Sequence, residues 1–413
     1  MGAGPAGLYF GVLMKLRHPG CEITIYERNP AGATYGWGLV FWDDLLEQLQ
    51  RADPVSAREI SSTAPRWVDQ VVDLDGTAYS LGGEGYSIPR QALLDILARR
   101  AVELGVRIEY LHEVDSLSEL GAADLIVASD GANSRLREGD AGRFGTEVDL
   151  GRNKYVWLGA STVFRSFTFP FVGTESGWVW AHAYGIDENT STFIVECPPE
   201  TWSGLGFGTM AARKALDSLE SIFAPCLQGG RLLAHVADDA PLPWLNFRRI
   251  TNERWHEGNV VLMGDAAHTA HFTIGSGTKL AIEDAIGLVQ CLDRHEDVRP
   301  ALAEYERERR ASLLRAQSDA FYSARWFENV PRYIELKPTQ FVTLMGARRS
   351  PLQPRLDPRL FYGLHRVSEE VTVLRALRRR MSAGVRALQR RRTARGPERR
   401  SPESTRGHDG DDG

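Results

Sequence analysis

The chain has 413 residues, of which 43% are hydrophobic and 25% charged, and its formal net charge is −5. These ordinary values describe a globular chain that can hold two modest domains or one large composite domain. No apolar run approaches 18 residues and no secretory leader precedes the first motif, so we expect a cytoplasmic protein without a membrane span or a membrane partner.

The four cysteines lie far apart in the sequence and form no CxxC pair. Neither a zinc site nor a redox disulfide is therefore predicted, and no metal is expected. We expect buried free thiols in a reducing compartment. The four positions are Cys21, Cys197, Cys226 and Cys291.

The chain opens with a glycine-rich motif, Gly2-Ala3-Gly4-Pro5-Ala6-Gly7, that matches G-x-G-x-x-G. Gly2 allows a tight turn, Gly4 lets the backbone approach a diphosphate, and Gly7 permits close packing of a helix on a strand. A single turn of this composition is also compatible with an ordinary loop. Its meaning therefore depends on the helices, strands and motifs that come after it in the chain.

A helix and a strand are predicted directly after this motif. The apolar residues 8–14 predict a buried helix whose N-terminus would face the phosphates of a ligand. Residues 22–26 predict a strand that ends at Glu27. This carboxylate stands at the spacing from the glycines that is typical of a contact with a ribose hydroxyl.

A glycine motif of this kind normally comes after a strand, but here it comes after Met1. We hypothesise that the natural product starts a few residues upstream and that Met1 replaces a valine read as an alternative start. Without that strand, we expect a gap at the centre of the parallel sheet and an unpaired neighbouring ladder.

The second motif comes after a helix predicted at 90–97 and a buried strand predicted at 124–129. It begins at Asp130-Gly131 and continues to Arg135. Gly131 would allow a tight turn, while Asp130 and Arg135 are placed either to contact a dinucleotide or to pair with each other.

The sequence from about 150 to 249 changes to aromatic and β-branched residues. Runs at 155–158, 177–184 and 190–195 predict an antiparallel sheet. We therefore predict a β-rich substrate domain, residues 71–85 and 149–249, inserted in a nucleotide-binding domain made of residues 1–70, 86–148 and 250–299.

The third motif, Gly264-Asp265, comes after an apolar strand predicted at 259–263. Its carboxylate could accept hydrogen bonds from a ribityl or ribose hydroxyl. Gly275-Ser276-Gly277 then precedes a helix from Thr278, whose N-terminus could place partial positive charge near a ring that becomes anionic on reduction. Three such motifs in this order predict FAD held by a single Rossmann-type domain in an α/β fold.

Helices are predicted after residue 300, including a long one at about 300–327, in a C-terminal helical region at 300–390. Between Arg375 and Gly413 there are twelve arginines and five acidic residues. A nucleic-acid arm is one interpretation of this charge. We favour a helical end followed by a disordered tail at 391–413, without a nucleic-acid partner, because the tail has almost no apolar residues.

The motifs resemble those of the group A flavin monooxygenases, the p-hydroxybenzoate hydroxylase superfamily, over about residues 1–390. The chain is similar above all to the subgroup with salicylyl-CoA 5-hydroxylase, the monooxygenase half of anthraniloyl-CoA monooxygenase/reductase and the violacein-pathway tryptophan hydroxylase. Further segments that carry the resemblance are 36–38, 151–155, 182–184, 191–197 and 271–279. The superfamily usually has prolines where His271 and Phe272 stand, and asparagine where Lys279 stands.

The resemblance implies FAD as cofactor and NAD(P)H and O2 as co-substrates in the hydroxylation of a small aromatic ring. Because only one nucleotide fold is visible, nicotinamide would bind transiently, without a domain of its own. The candidate cofactor-binding residues are Gly2, Gly4, Gly7, Glu27, Arg28, Arg90, Asp130, Gly131, Gly264, Asp265, Gly275, Gly277 and Thr278.

The candidate catalytic residues are His182, Tyr184 and His271. His182 and Tyr184 alternate on one face of a predicted strand and could line an aromatic pocket, or could pack a sheet core. His271 could touch substrate near the flavin, or could be an ordinary loop histidine. Lys279 could neutralise flavin or substrate charge, or could reach solvent.

We predict hydroxylation of an aryl-CoA thioester such as salicylyl-CoA. Free L-tryptophan or a related amino acid is the alternative substrate, and a flavin-binding remnant without turnover is the alternative of another class. A flavin halogenase is disfavoured because the Ile-Pro that should come after Trp178-x-Trp180 is missing. The basic residues that could meet CoA are Arg152, Lys154, Arg248 and Arg249.

Overall fold

The computed structural model describes residues 2–34, 36–139 and 141–370. The predicted disordered tail and the end of the predicted helical region beyond residue 370 lie outside the described residues. Residues up to Arg355 form one unit, and the residues from Leu356 onward form a second. Within the second unit the described structure is one helix, and all other elements belong to the first.

The described ranges contain fourteen α-helices and four short 3-10 helices. The α-helices are α1 Pro5–Arg17, α2 Asp43–Ala52, α3 Pro54–Thr63, α4 Arg90–Glu103, α5 Arg135–Glu138, α6 Ala141–Phe144, α7 Pro199–Gly204, α8 Ala212–Ile222, α9 Ala224–Leu227, α10 Gly277–Arg294, α11 Val298–Glu328, α12 Val330–Tyr333, α13 Pro338–Gly346 and α14 Pro358–Glu370. The 3-10 helices are Leu117–Leu120, Gly264–Ala266, Phe272–Ile274 and Gln353–Arg355.

Sixteen strands occur in the same ranges. They are β1 Thr24–Glu27, β2 Gly38–Phe41, β3 Arg66–Val68, β4 Gln70–Leu74, β5 Thr77–Ser80, β6 Glu84–Pro89, β7 Arg107–Tyr110, β8 Ile126–Ala128, β9 Thr146–Ala160, β10 Phe167–Thr174, β11 Gly177–Gly185, β12 Ser191–Cys197, β13 Leu232–Leu233, β14 Leu245–Asn252, β15 His256–Glu257 and β16 Val260–Leu262. The chain is thus a mixed α/β protein, and each helix and strand predicted between residues 8 and 327 is present.

Two small sheets lie on either side of the first glycine loop. In one, β1 pairs in parallel with β7; in the other, β8 pairs in parallel with β16, which β15 extends. Within the described residues β1 and β8 are not paired with each other. Gly2 lies between them: its N–H donates to the Tyr26 carbonyl at 2.8 Å, and its own carbonyl accepts from Ser129 Oγ at 3.3 Å.

Helix α1 is the buried centre of this part of the fold and packs against α4 and α10. It begins at Pro5, three residues before the predicted apolar run, because proline suits the first position of a helix. Gly7 is required here, since a Cβ at this position would lie 2.2 Å from the Gly2 carbonyl oxygen and 2.6 Å from Ser129 Oγ.

The largest sheet has the order β13-β9-β12-β11-β10-β4-β5, and β14 also pairs with β9. All its pairs are antiparallel except β10 with β4. Along β11, Val179, Ala181 and Ala183 join the apolar core formed with α8. The side chains between them face the opposite way, and Trp180 stacks on Phe327 of α11 with ring centroids 6.2 Å apart. This confirms the predicted alternation of the strand.

A third small sheet, in the order β2-β6-β3, adjoins the largest one. A Cβ at Gly38, the first residue of β2, would lie 2.3 Å from Ile186 and 2.9 Å from Thr192 Oγ1. The start of β2 therefore lies directly on the large sheet, and the glycine at this position permits that approach.

The four cysteines are free thiols. Cys197 and Cys291 are buried, but Cys21 and Cys226 are partly exposed, which corrects the expectation that all four would be buried. Their neighbours do not include a second cysteine in bonding position. No helix in the described residues is long and apolar enough to cross a membrane.

Candidate active site

The three motifs of the sequence meet at one cleft of about 360 Å³. This cleft lies where β1 and β8 end and α1 and α4 begin. Eight of the candidate cofactor residues line it: Gly2, Gly4, Glu27, Arg28, Arg90, Asp130, Gly131 and Asp265. Five others, Gly7, Gly264, Gly275, Gly277 and Thr278, are not part of its lining.

Glu27 fixes the geometry of the first loop. One of its carboxylate oxygens accepts the Ala3 N–H at 2.8 Å. The other accepts the backbone N–H and the side-chain amide of Asn29, at 2.9 and 2.7 Å. The carboxylate at the end of β1 thereby holds the glycine loop at the start of α1.

The residues of this cleft fit a dinucleotide. Gly4 is the N-cap of helix α1 and offers no side-chain cap, so the first N–H groups of the helix are available to a diphosphate. A Cβ at Gly4 would meet no protein atom within 4 Å, so the open space lies on the cleft side. Asp130 Oδ2 accepts the Arg135 N–H at 2.9 Å, while its Oδ1 is buried without a partner and could accept a ligand hydroxyl.

Asp265 and Arg90 form the inner end of the cleft. Asp265 is exposed to it. Enclosure by protein raises the pKa of Asp265, while the positive charges of His268 and Arg90 act in the opposite direction. Burial lowers the pKa of Arg90, and Asp265 opposes that effect. The opposite charges of Asp265 and Arg90 thus act on each other at this end of the cleft.

A buried ion cluster supports the turn that carries Asp265. Asp284 Oδ2 accepts the Gly264 N–H at 3.0 Å and lies 2.8 Å from His268 Nε2, while Oδ1 accepts from Arg309 Nε at 2.7 Å. Burial alone would raise the pKa of Asp284, but His268 and Arg309 outweigh it and hold the pKa below its ordinary value. Gly264 itself has φ +63°, which favours glycine.

The start of α10 lies against β2. The Ser276 side chain does not cap the helix. Gly275 has φ +63°, and a Cβ there would lie 2.7 Å from Val40 and 2.8 Å from Trp42. Because none of the residues 275–278 lines the cleft, the electrostatic role of this helix start stays a prediction.

An aromatic cluster lies between the large sheet and α11, and a buried carboxylate organises it. Glu196 of β12 accepts from Asn153 Nδ2 at 2.7 Å and from Trp180 Nε1 at 3.0 Å, and lies 3.1 Å from His182 Nε2. Burial alone would raise the pKa of Glu196, but His182, His271 and Asn153 together keep it lowered.

The rings of this cluster surround His182. The ring of His182 lies 5.4 Å from the rings of Phe169 and Phe272 and 4.9 Å from that of Phe327. The Tyr155 ring lies 4.8 Å from Phe272. Burial raises the pKa of Tyr155 to about 12, with further contributions from the charges of Asp265 and Glu196. Tyr155 thus packs in the aromatic cluster and is also subject to the charge of Asp265.

His271 lies at the edge of this cluster and lines a second cavity, of about 460 Å³. Its ring lies 4.4 Å from Phe272 and 4.5 Å from Phe247. Its Nδ1 accepts the Thr273 N–H at 3.4 Å, which leaves Nε2 as the protonated nitrogen of the neutral ring. Burial lowers the pKa of His271 to about 4, so the ring is neutral at pH 7.

The other two candidate catalytic residues are placed differently. His182 and Tyr184 are buried, and neither lines the cleft or the cavity beside His271. Tyr184 donates from its hydroxyl to the Gly38 carbonyl at 3.0 Å. Tyr184 thus joins β11 to the start of β2.

The four basic residues considered for CoA do not form one patch. Arg152 and Arg249 line the cavity beside His271, whereas Lys154 and Arg248 do not. Each side chain has a partner: Arg152 pairs with Glu200, Lys154 donates to Asn246, Arg248 pairs with Glu138, and Arg249 pairs with Asp149. Lys279 pairs with Asp44 and Glu283.

The role of several residues in the buried polar networks has no signal in the sequence. Asn153 and Glu196 lie in segments that carry the family resemblance, and Asp284 and Arg309 lie in predicted helices. Nothing in these segments shows that the four side chains are buried and paired. Their partners described above are 14 to 43 residues away. Among the described residues, no group of three His, Cys, Asp or Glu side chains could hold a metal ion.

Known proteins are similar to this chain in sequence or in fold. The FAD binding domain family matches residues 231–318. Salicyloyl-CoA 5-hydroxylase from Streptomyces sp is 37% identical over 85% of this chain and 69% of its own length. The 3-hydroxy-4-methyl-anthranilyl-[aryl-carrier protein] 5-monooxygenase of Streptosporangium sibiricum is 36% identical over 80% of this chain and 88% of its own. The crystal structure of a mutant of 2-methyl-3-hydroxypyridine-5-carboxylic acid oxygenase matches 84% of this chain and 96% of its own, with a TM-score of 0.63 and 18% identity.

Proposed function

The chain belongs to the FAD-dependent aromatic monooxygenases of the p-hydroxybenzoate hydroxylase superfamily, and on that premise we propose that it hydroxylates the ring of an aryl thioester such as salicyloyl-CoA. Two relatives that are more than one third identical carry names with an aryl group on CoA or on a carrier protein. Their shared chemistry, an aromatic ring on a thioester carrier, supports this class of substrate.

One observation supports the proposal of ring hydroxylation: the loop that presents Asp265 to the cleft continues to Phe272, whose ring packs on Tyr155 and lies 5.4 Å from that of His182. Burial and the charges of both Asp265 and Glu196 raise the pKa of Tyr155, and the Tyr155 ring packs on Phe272. A planar ring held among these side chains would lie next to the inner end of the cleft, where the reactive end of the cofactor is needed.

We propose that the cleft holds FAD along its length. The uncapped start of α1 would bind the diphosphate, Glu27 a ribose, and Asp265 the ribityl chain, with the start of α10 near the ring. When bound, FAD supplies the redox chemistry by which NAD(P)H and O2 deliver one oxygen atom to the substrate ring.

The protein would bind and orient the substrate and exclude water. Asn153, Trp180 and His182 fix Glu196, which leaves the aromatic cluster with one buried, fully partnered carboxylate. We propose that His271, neutral and with Nδ1 already occupied by the Thr273 N–H, donates from Nε2 to an oxygen of the substrate. A neutral donor of this kind would hold a ring hydroxyl in place without adding charge.

The separation of the sheets suggests a division into domains. We propose a Rossmann-type FAD-binding part at 1–70, 86–148 and 250–299, and a substrate-binding part at 71–85 and 149–249. The loops that line the cleft come after β1 and β8, whereas β4, β5 and β9–β14 belong to the large sheet. This separation of strands between sheets supports the proposed boundaries.

The test is to measure the FAD content of the purified protein and then monitor NADH and NADPH oxidation with salicyloyl-CoA, anthraniloyl-CoA and L-tryptophan in parallel. We expect the thioesters to stimulate oxidation and to gain one oxygen by mass spectrometry. Stimulation by tryptophan alone would overturn the substrate class. A colourless protein that oxidises neither nucleotide with any of the three would favour a remnant without turnover.

Asp265 offers a test of the cofactor site itself. We expect Asp265→Ala to lower FAD occupancy, measured by visible absorbance after desalting. Asp239→Ala is the matched control, because this carboxylate is exposed and lies outside the cleft. Equal FAD content in both variants would remove Asp265 from the site.

A further inference from the structure

A third cavity, of about 450 Å³, lies beside the start of α10 and is lined by basic side chains. Lys279 comes from α10, and Arg348 and Arg349 come shortly after α13. Trp42, Asp44 and Ser276 also contribute to the wall. The cavity is separate from the cleft of the three motifs, whose lining shares none of these residues.

Arg348 is a buried cation without a counter-ion. It is 7% exposed. Its Nη1 donates to the Met345 carbonyl at 3.1 Å and its Nη2 to the Thr273 carbonyl at 3.5 Å, while Nε is buried and has no partner. In the part of the chain that the structure describes, no carboxylate lies within ion-pair distance of it. Burying an unpaired guanidinium is costly, so an anion would stabilise this arrangement.

The cavity as a whole has an excess of positive charge. Its lining contains the three cations Lys279, Arg348 and Arg349 and a single carboxylate, Asp44. Lys279 pairs with Asp44 and with Glu283, and the charge of Asp319 acts on Arg349, although neither Glu283 nor Asp319 lines the cavity. Within the described ranges, the ion pairs do not include Arg349 either. The excess of positive charge among the lining residues suits a phosphate or diphosphate.

We infer that this cavity binds the phosphate of the pantetheine arm that carries the aryl substrate; the inference rests on the proposed function, in which the substrate is a thioester. Phosphopantetheine is common to CoA and to carrier proteins, so the shared anion is its phosphate. Arg348 holds the carbonyl of Thr273, two residues after His271. A phosphate bound here is thus anchored beside the segment that borders the aromatic cluster.

The test measures binding to the FAD-loaded protein, without turnover. Isothermal titration with pantetheine, 4′-phosphopantetheine and CoA compares ligands that differ in their phosphates. We expect the wild-type protein to bind phosphopantetheine at least about tenfold more tightly than pantetheine. Arg348→Gln and Arg349→Gln should each reduce that ratio severalfold. Arg165→Gln is the control, because Arg165 is exposed and lines none of the three cavities.

The ligands also distinguish the source of the phosphate. Equal affinity for phosphopantetheine and CoA supports recognition of the phosphate that both carriers share. An affinity ratio that neither substitution changes would overturn the inference. Displacement of bound CoA by salicylate but not by phosphopantetheine would overturn it as well. If Arg348→Gln fails to fold, Arg349→Gln decides the question, because that side chain is exposed and its loss removes charge without opening the core.

Turnover then separates this inference from the proposed function. If salicyloyl-CoA and salicyloyl-pantetheine are hydroxylated with equal KM, and the arginine variants match the wild type, the phosphate site is wrong and the proposed function stands. If neither thioester is hydroxylated but phosphopantetheine binding still depends on Arg349, the proposed function fails and the anion site remains.

Discussion

His268 Nε2 lies 2.8 Å from Asp284 Oδ2, and the same oxygen accepts the N–H of Gly264 at 3.0 Å. One buried carboxylate therefore holds both ends of the turn that presents Asp265 to the cleft. Arg309 of α11 supplies the balancing charge on the other oxygen. This arrangement makes Asp284 a positioning residue for the cofactor site, although it does not line the cleft itself.

We expect Asp284→Asn to destabilise the protein by about 3–5 kcal/mol, the usual cost of leaving a buried partner charge unpaired. FAD occupancy should fall with it, because the Gly264–Asp265 turn loses its anchor. Urea unfolding gives the first quantity and visible absorbance after desalting the second. Asp293→Asn is the control on the same helix: its partners are the exposed Arg17 and His18, so the loss should stay below about 1 kcal/mol.

Asp284 also predicts a pH dependence. Because its pKa is lowered in the folded protein, the stability it contributes is present above the ordinary pKa of about 3.9 and is lost as the pH falls towards the folded value. The wild type should therefore lose stability more steeply than Asp284→Asn below about pH 4. Parallel slopes for the two proteins in acid unfolding would contradict this.

Two glycines of the first loop should respond in opposite ways to alanine. Gly7→Ala places a Cβ 2.2 Å from the Gly2 carbonyl oxygen, and we expect a loss of about 3 kcal/mol from overpacking. Gly4→Ala meets no protein atom within 4 Å, so stability without ligand should change by less than about 0.5 kcal/mol. FAD affinity should nevertheless fall, because the methyl group would face the diphosphate. Thermal melts of the flavin-free proteins, followed by FAD titration, separate the two effects.

The hydroxyl of Tyr184 should matter where that of Tyr9 does not. Tyr184→Phe leaves the Gly38 carbonyl without its donor, at a cost of about 1–3 kcal/mol. The Tyr9 hydroxyl is buried without a hydrogen-bond partner, so Tyr9→Phe should be neutral or slightly stabilising. Chemical unfolding of both variants is the measurement. A larger loss for Tyr9→Phe would contradict the assignment of the hydrogen bond.

His271 should weaken the folded state at mildly acidic pH. Burial lowers the pKa of His271 to about 4, whereas an unfolded histidine titrates near about 6.5. Between these values the unfolded chain binds the proton and the folded chain does not, so stability falls as the pH drops from about 6.5 towards about 4. His271→Gln should lose less stability than the wild type between about pH 7 and pH 5. Identical losses would show that the ring is not held neutral.

The convergence of Glu27, Asp130 and Asp265 could be predicted from the sequence. Each comes after a predicted strand, and the carboxyl ends of parallel strands meet at one edge. β1 pairs in parallel with β7 and β8 with β16, and all three carboxylates line one cleft. The two faces of β11 could also be predicted, because the alternation of side chains along a strand is a local property.

The support of the site could not be predicted, because it depends on contacts between distant parts of the chain. Glu196 meets Asn153, which lies 43 residues earlier, and Asp284 meets Arg309, which lies 25 residues later. Arg348 gives no local signal either: its burial beside Thr273 arises only when the segment after α13 folds back onto the loop before α10. A charge in a sequence does not show whether its partner is water or another side chain.

Helix α11 contacts both Asp284, which supports the Gly264 turn, and the aromatic cluster around His182. Arg309 near its middle reaches Asp284, and Phe327 at its end packs against His182. These residues are eighteen positions apart, which spans about 27 Å of continuous helix. A tilt of this helix that loosened one of these two contacts would also displace the other contact. Binding of an aromatic ring in the cluster should therefore slow amide exchange around the Gly264 turn, because the helix would couple the substrate site to the cofactor site.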